Sequence, residues 1–267
     1  LGDPAFDLAA ARAEDRIDEP TRSRLAALPG TRREIEAIRK HFPSATVLLG
    51  KDASEERLNG LAKSGALRDY QVLHLATHGQ VDDRRAEHCA LLLAEAAAPR
   101  RQPHTQGPGF DGRLEVGEIL RDWDLAAELV VLSACETGLG QSGGGEGLLG
   151  FSQAILGRGS QSLLVSLWPV SDTATSLLMT RFYENWLGTG TADPRRKVSK
   201  ADALREAKSW LSKLKRKDIE AHIALLPEGA RGLKLEPVPL GSQNADEDRP
   251  FAHPYYWSAF ILIGDPR

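Results

Sequence analysis

Two reactive side chains follow directly on apolar runs in this sequence. Val72-Leu-His-Leu-Ala76 leads into Thr77-His78-Gly79, and Leu129-Val-Val-Leu-Ser-Ala134 leads into Cys135-Glu136-Thr137-Gly138. A free thiol, with a pKa near ~8.5, is only a few per cent thiolate at neutral pH. An imidazole within reach takes that proton and later returns it to a leaving amine. Cys135 as nucleophile and His78 as general base therefore make a candidate pair for acyl transfer. The tetrahedral oxyanion needs donors, and the Gly79 and Cys135 backbone N–H groups are the candidates. The glycine-rich stretch Gly138-Leu-Gly-Gln-Ser-Gly-Gly-Gly-Glu-Gly147 lets the chain pass close to such a site without side-chain clashes.

For the thiol and imidazole to meet, their two runs must be neighbouring strands. Gln71–Ala76, Leu129–Ala134 and Ser162–Leu167 are continuously apolar rather than alternating, as in parallel strands covered on both faces. A short strand over Ala45–Gly50 and a closing strand over Ser258–Gly264 join them. Helices are expected over Thr31–His41, from Asp52, over Val116–Arg121, over Gly147–Leu156 and from about Thr173. Thr31 with Glu34 three places on resembles a capping box, and acidic residues fill the first turn after Asp52. Strand–helix alternation predicts an α/β fold: an open, mostly parallel sheet flanked by helices on both faces, with the site in loops at the strand C-termini. Residues 1–30 are polar and charge-rich and read as a leading arm or linker, and 31–267 as one domain. Ala96–Gly112, Gly188–Lys200 and Pro227–Pro250 read as loops. The basic helix from Ala201 to about Ile219 reads as a solvated face. No internal repeat occurs.

The 267 residues are 41% hydrophobic and 27% charged, an ordinary globular balance. A net charge of −3 gives no basic excess towards nucleic acid or an anionic membrane. No apolar run approaches the ~18 residues of a membrane span, and no secretory signal opens the sequence. Two cysteines, Cys89 and Cys135, do not make a disulfide framework. They read as reduced thiols in a reducing compartment, which points to the cytoplasm. The start at Leu1 suggests a domain cut from a longer protein.

Other chemistries fit less well. A zinc site would recruit His74, His78, His88 and Cys89, but His-x-x-x-His here spans a strand and a turn and lacks the glutamate of a zincin motif. Gly138-x-Gly-x-x-Gly143 formally matches a dinucleotide fingerprint, yet no acidic residue closes the next strand near Leu167. No metal and no organic cofactor are expected. His74 reads as a packed strand histidine and Cys89 as a structural thiol opening the run Ala90–Leu93. Glu136 either touches substrate and orients the site or bonds loop N–H groups.

Five motifs carry a family resemblance. Leu73-His-Leu-Ala-Thr-His-Gly79, Val131-Leu-Ser-Ala-Cys-Glu-Thr-Gly138, Gly145-Glu-Gly-Leu-Leu-Gly150, Val165-Ser-Leu-Trp-Pro-Val170 and His253-Pro-Tyr-Tyr-Trp-Ser-Ala-Phe260 are similar to the CHAT family over about Gly2 to Gly264. These are caspase-like domains, often joined to tetratricopeptide repeats. His78 precedes Cys135 by 57 residues, near the roughly 50 of caspases. The resemblance implies a caspase-like sheet, a Cys135–His78 dyad, and cleavage of a protein or peptide substrate, commonly in bacterial defence or regulated death. It also implies a P1 pocket along Val165–Leu167, including Ser166, and the Trp168–Asp172 turn. There Trp168 would pack the wall, and Asp172 would pair a P1 Arg or Lys, or else N-cap the following helix. Activity would be gated by a regulatory partner or an attached sensor domain, with Ala96–Gly112 and Pro227–Pro250 as candidate cleavage or activation segments. The stretch that usually precedes Gly-Asp-Pro-Ala-Phe in complete members is not in this sequence, so a fragment is expected. Two rivals remain: a catalytically silent scaffold of the same fold, and a thiol transferase.

Overall fold

The computed structural model describes residues 1–5, 29–82, 84–94, 110–133, 146–168, 171–189, 198–225 and 248–267. Its centre is a sheet of β3 (Val72–Leu75), β7 (Leu129–Leu132), β8 (Ser162–Ser166) and β9 (Phe260–Gly264), in the order β3-β7-β8-β9. The first three strands are parallel, and β9 runs antiparallel along β8 from Ser166↔Phe260 to Ser162↔Gly264. On the far side of β3, an isolated parallel bridge links Ala76 to Gly2 in β1 (Gly2–Pro4). β1 in turn pairs with β2 (Leu49–Gly50). Gly2–Pro4, within the polar opening stretch, are therefore joined to the sheet.

The unbroken hydrophobicity of the central strands follows from two cores, one on each face. Leu129, Val131 and Leu164 are buried in one, while Val130, Leu132, Leu163 and Val165 are buried in the other. A fully buried side chain of this size is worth about 1.5–3 kcal/mol, so none of these seven positions tolerates a polar residue cheaply. The first core is covered by α1 (Pro29–Arg39), α5 (Asp172–Trp186), α6 (Lys200–Leu211) and α7 (Arg216–Leu225). The second is covered by α2 (Glu55–Lys63), α3 (Val116–Asp122) and α4 (Glu146–Gly157). The fold class is thus the one expected: α/β, open, mostly parallel, and helix-covered on both faces.

Several local details differ from expectation. α1 begins at Pro29, so Thr31 lies inside the helix and does not cap it. Its hydroxyl accepts the Asp3 N–H at 2.9 Å and ties α1 to β1. The basic helix is two helices, because Leu211, Leu214, Ile219 and Ile223 are all buried and five residues separate the middle pair, off any helical face. The strand expected over Ala45–Gly50 pairs only at Leu49–Gly50. At the α4–β8 turn Gly159 has φ +108°, and a Cβ there would lie 2.2 Å from the Leu125 carbonyl oxygen, so the turn requires glycine.

A second, antiparallel sheet was not anticipated. β4 (His78–Gln80), β5 (Ala90–Leu92) and β6 (Arg113–Glu115) form it, with His78↔Leu92↔Arg113 aligned across all three. Its base is tied to α2 at two points. The Ala94 N–H donates to the Ala53 carbonyl at 2.9 Å, and the Gly112 N–H donates to the Glu55 carboxylate at 3.0 Å.

Candidate active site

β3 and β7 lie side by side in register, Val72 against Leu129 through Leu75 against Leu132. The Ser133 N–H donates to the Leu75 carbonyl at 2.9 Å, which extends the ladder one residue past β7. Both chains therefore leave the sheet at the same edge, where sites in open parallel sheets are built.

From β3 the chain changes sheets within three residues. Ala76 bridges to β1, and the buried Thr77 donates its hydroxyl to the Leu92 carbonyl of β5. His78 then opens β4. The candidate base is consequently half-buried and held between two sheets rather than on a loop. Gly79, the candidate oxyanion donor, is buried in β4 opposite Leu91. Cys135 and Glu136 lie outside the described residues; Ser133, two residues before the cysteine, is the last described residue on that side.

The residues after β8 leave the sheet at the same edge as those after β3 and β7. Ser166 is buried at the end of the strand. Trp168 is half-buried, stacks on Tyr255 with ring centroids 6.5 Å apart, and donates its indole N–H to the Tyr255 carbonyl at 3.0 Å. Ser171, not Asp172, caps α5, its hydroxyl accepting the Ala174 N–H. Asp172 occupies the first turn, and its carboxylate accepts the Gly30 N–H at 3.4 Å. This leaves Asp172 at the junction of the α1 and α5 N-termini.

His74 is enclosed by partners that the sequence did not single out. Its Nε2 lies 2.8 Å from Glu34 Oε1 and its Nδ1 lies 3.2 Å from the Tyr183 hydroxyl. Their side chains are almost fully shielded, 7% exposed for His74 and 2% for Glu34. Burial, and then the charge of Glu34, push the Tyr183 phenol well above its ordinary range, so it remains a hydroxyl. The other residues weighed as zinc ligands are placed apart in function. His88 pairs with Glu115 at 3.2 Å, and Cys89 is buried beside Asp82. Among the described residues no group of three or more His, Cys, Asp or Glu is placed to hold a metal ion. Among them, too, no helix is long and apolar enough to cross a membrane.

The family model for the CHAT domain matches residues 2–265, nearly the whole chain. The chain belongs to the CHAT domain family. CHAT domains are caspase-like, and the helix-covered sheet just described is consistent with that architecture. No curated protein matches this chain. Two of the CHAT motifs quoted above, the one ending in His78-Gly79 and the one running through Cys135, begin within β3 and β7, the pair of strands in register.

Proposed function

We propose that this CHAT domain is a cysteine endopeptidase in which Cys135 is the nucleophile and His78 its general base. One observation carries the reading. β3 and β7 are adjacent, parallel and aligned, with Leu75 opposite Leu132; His78 is the third residue past the first and Cys135 the third past the second. In sequence Cys135 comes two residues after Ser133, whose N–H still pairs with Leu75 at the end of the sheet from which the chain runs on to His78.

In the reaction His78 accepts the Cys135 proton, and the thiolate adds to the scissile carbonyl carbon. The Gly79 and Cys135 N–H groups take up the oxyanion. The C–N bond then breaks as the imidazolium gives its proton to the departing amine, leaving a thioester. Water, deprotonated by the same imidazole, releases the acid and the thiol. Ser166, Trp168, Asp172 and Glu136 are assigned to substrate binding. The proposed target is a protein, with activity gated by a partner or an attached sensor, such as tetratricopeptide repeats, within bacterial defence. The two cysteines suit a reducing cytoplasm.

A peptide-library cleavage profile of the wild type beside Cys135→Ala tests the reading. Cleavage that vanishes in the variant supports it. Absence of cleavage in both, with Cys89 and Cys135 alkylated equally slowly, assigns the fold to a scaffold role instead. Transfer of an acyl group without hydrolysis assigns it to a thiol transferase.

The pocket assignment has its own test. A carboxylate at Asp172 favours a guanidinium or ammonium at P1 through charge-assisted hydrogen bonds. Asp172→Ala is expected to lower kcat/KM for peptides cleaved after Arg or Lys by at least about tenfold, the effect of a ~1.5–3 kcal/mol bond, while other cleavages persist. Undiminished cleavage after basic residues rejects the pocket.

A further inference from the structure

We infer that Glu34, His74 and Tyr183 form a positioning set for His78, a role that rests on the Cys135–His78 reading above. On its Tyr183 side the set packs into an apolar layer. Tyr183 has Phe42, Phe182 and Trp186 around it, with ring centroids 5.2–6.1 Å away, and Ile38 is buried in the same core. Apolar side chains of similar size would fill that volume at no desolvation cost, whereas a shielded carboxylate costs several kcal/mol unless it is paired. What the polar set supplies, and an apolar one does not, is a fixed location along a direction.

The geometry shows which direction. Nε2 of His74 faces the Glu34 carboxyl group and Nδ1 faces the Tyr183 hydroxyl, so both ring nitrogens are engaged. One bond runs to α1 and the other to α5, so two helices converge on a single side chain of β3. The ladder and two-sided burial fix the register of β3, and a side chain gripped from two sides holds the strand against the smaller displacements that a fixed register still allows. His74 stands four residues before His78 on the same continuous chain, and the chain turns into the second sheet in between. A displacement of about 1 Å along β3 needs no change of register. That is enough to carry an imidazole out of the roughly 2.6–3.2 Å reach that proton transfer needs. Glu34, His74 and Tyr183 thus act on the reaction through His78 and do not touch the substrate.

The test uses the full chain and follows iodoacetamide modification of Cys135, with Cys89 in the same molecule as reference, over a series of pH values. Glu34→Gln and Tyr183→Phe change one atom or remove one and keep the core filled; His74→Phe removes both polar contacts. Ile219→Ala, in α7, serves as a matched loss of stability away from the site. Expected is a five- to tenfold slower reaction of Cys135 at pH 7 in Glu34→Gln and His74→Phe, with a smaller loss in Tyr183→Phe. The pH profile should shift towards that of His78→Ala, with Cys89 and Ile219→Ala unaltered. Wild-type Cys135 rates in Glu34→Gln and His74→Phe, with only the melting temperature lowered, reject the positioning role alone. Wild-type rates in His78→Ala reject the dyad and this role together.

Discussion

His78→Ala is expected to slow peptide cleavage by about 10²–10⁴-fold, the usual contribution of a positioned acid–base group. The same change should slow alkylation of Cys135 at pH 7 about tenfold or more, because an unassisted thiol is only a few per cent ionised there. Cys89, buried and outside the dyad, provides the reference rate. The stability of the protein should hardly change, because the side chain is half-buried and sits at the start of β4 rather than inside either core. A His78→Ala protein that keeps its cleavage rate removes the imidazole from the mechanism. A protein that loses both cleavage and its cooperative melting shows instead that His78 is part of the scaffold.

Glu55 should give the fold an unusual dependence on pH. Its carboxyl is buried at the start of α2, and burial, reinforced by Glu118 and Asp111, pushes its pKa up to about 8 against the donated N–H groups of Gly112 and Asp111. Between the ordinary value of 4.5 and about 8 the folded chain holds a proton that the unfolded chain has released. Stability from this group is therefore complete below about pH 4.5 and is lost as the pH rises through 8. Glu55→Gln cannot ionise and still accepts from Gly112. It should melt close to the wild type at pH 4.5 and several degrees or more above it at pH 9. Parallel melting curves from pH 4.5 to 9 reject the assignment. Glu118 is held above its usual range mainly by burial and adds a background common to both proteins.

Much of the fold was legible because two-sided burial leaves a direct mark. Runs such as Leu129–Leu132 and Ser162–Ser166 have no polar alternation when both faces are covered, and they were placed within one or two residues of their observed ends. The reversal of β9 left no such mark, since strand direction is not written in composition. β4 was invisible for a different reason. His-Gly-Gln has low strand propensity, and its pairing depends on Ala90–Leu92, which lies ten or more residues away. The candidate thiol and imidazole were legible because each follows an apolar run directly, and the register of those runs is now fixed. Glu34 was misread: a glutamate three residues after a threonine suits a cap, and only its 40-residue separation from His74 hides the real partner. Glu55 reads in sequence only as a first-turn acid, because nothing near it announces that the Gly112 N–H is its partner.

The two ties at the base of the antiparallel sheet hold Ala94 and Gly112 each by its own bond. Residues up to Ala94 are fastened to α2 through Ala53, and residues from Gly112 onward through Glu55, while β5 and β6 stay zipped by three residue pairs. A polypeptide severed in that interval would persist as a nicked, two-fragment particle, separable on a denaturing gel yet eluting as one species under native conditions. Maturation by scission, as in zymogens, would then cost this architecture almost none of its cohesion.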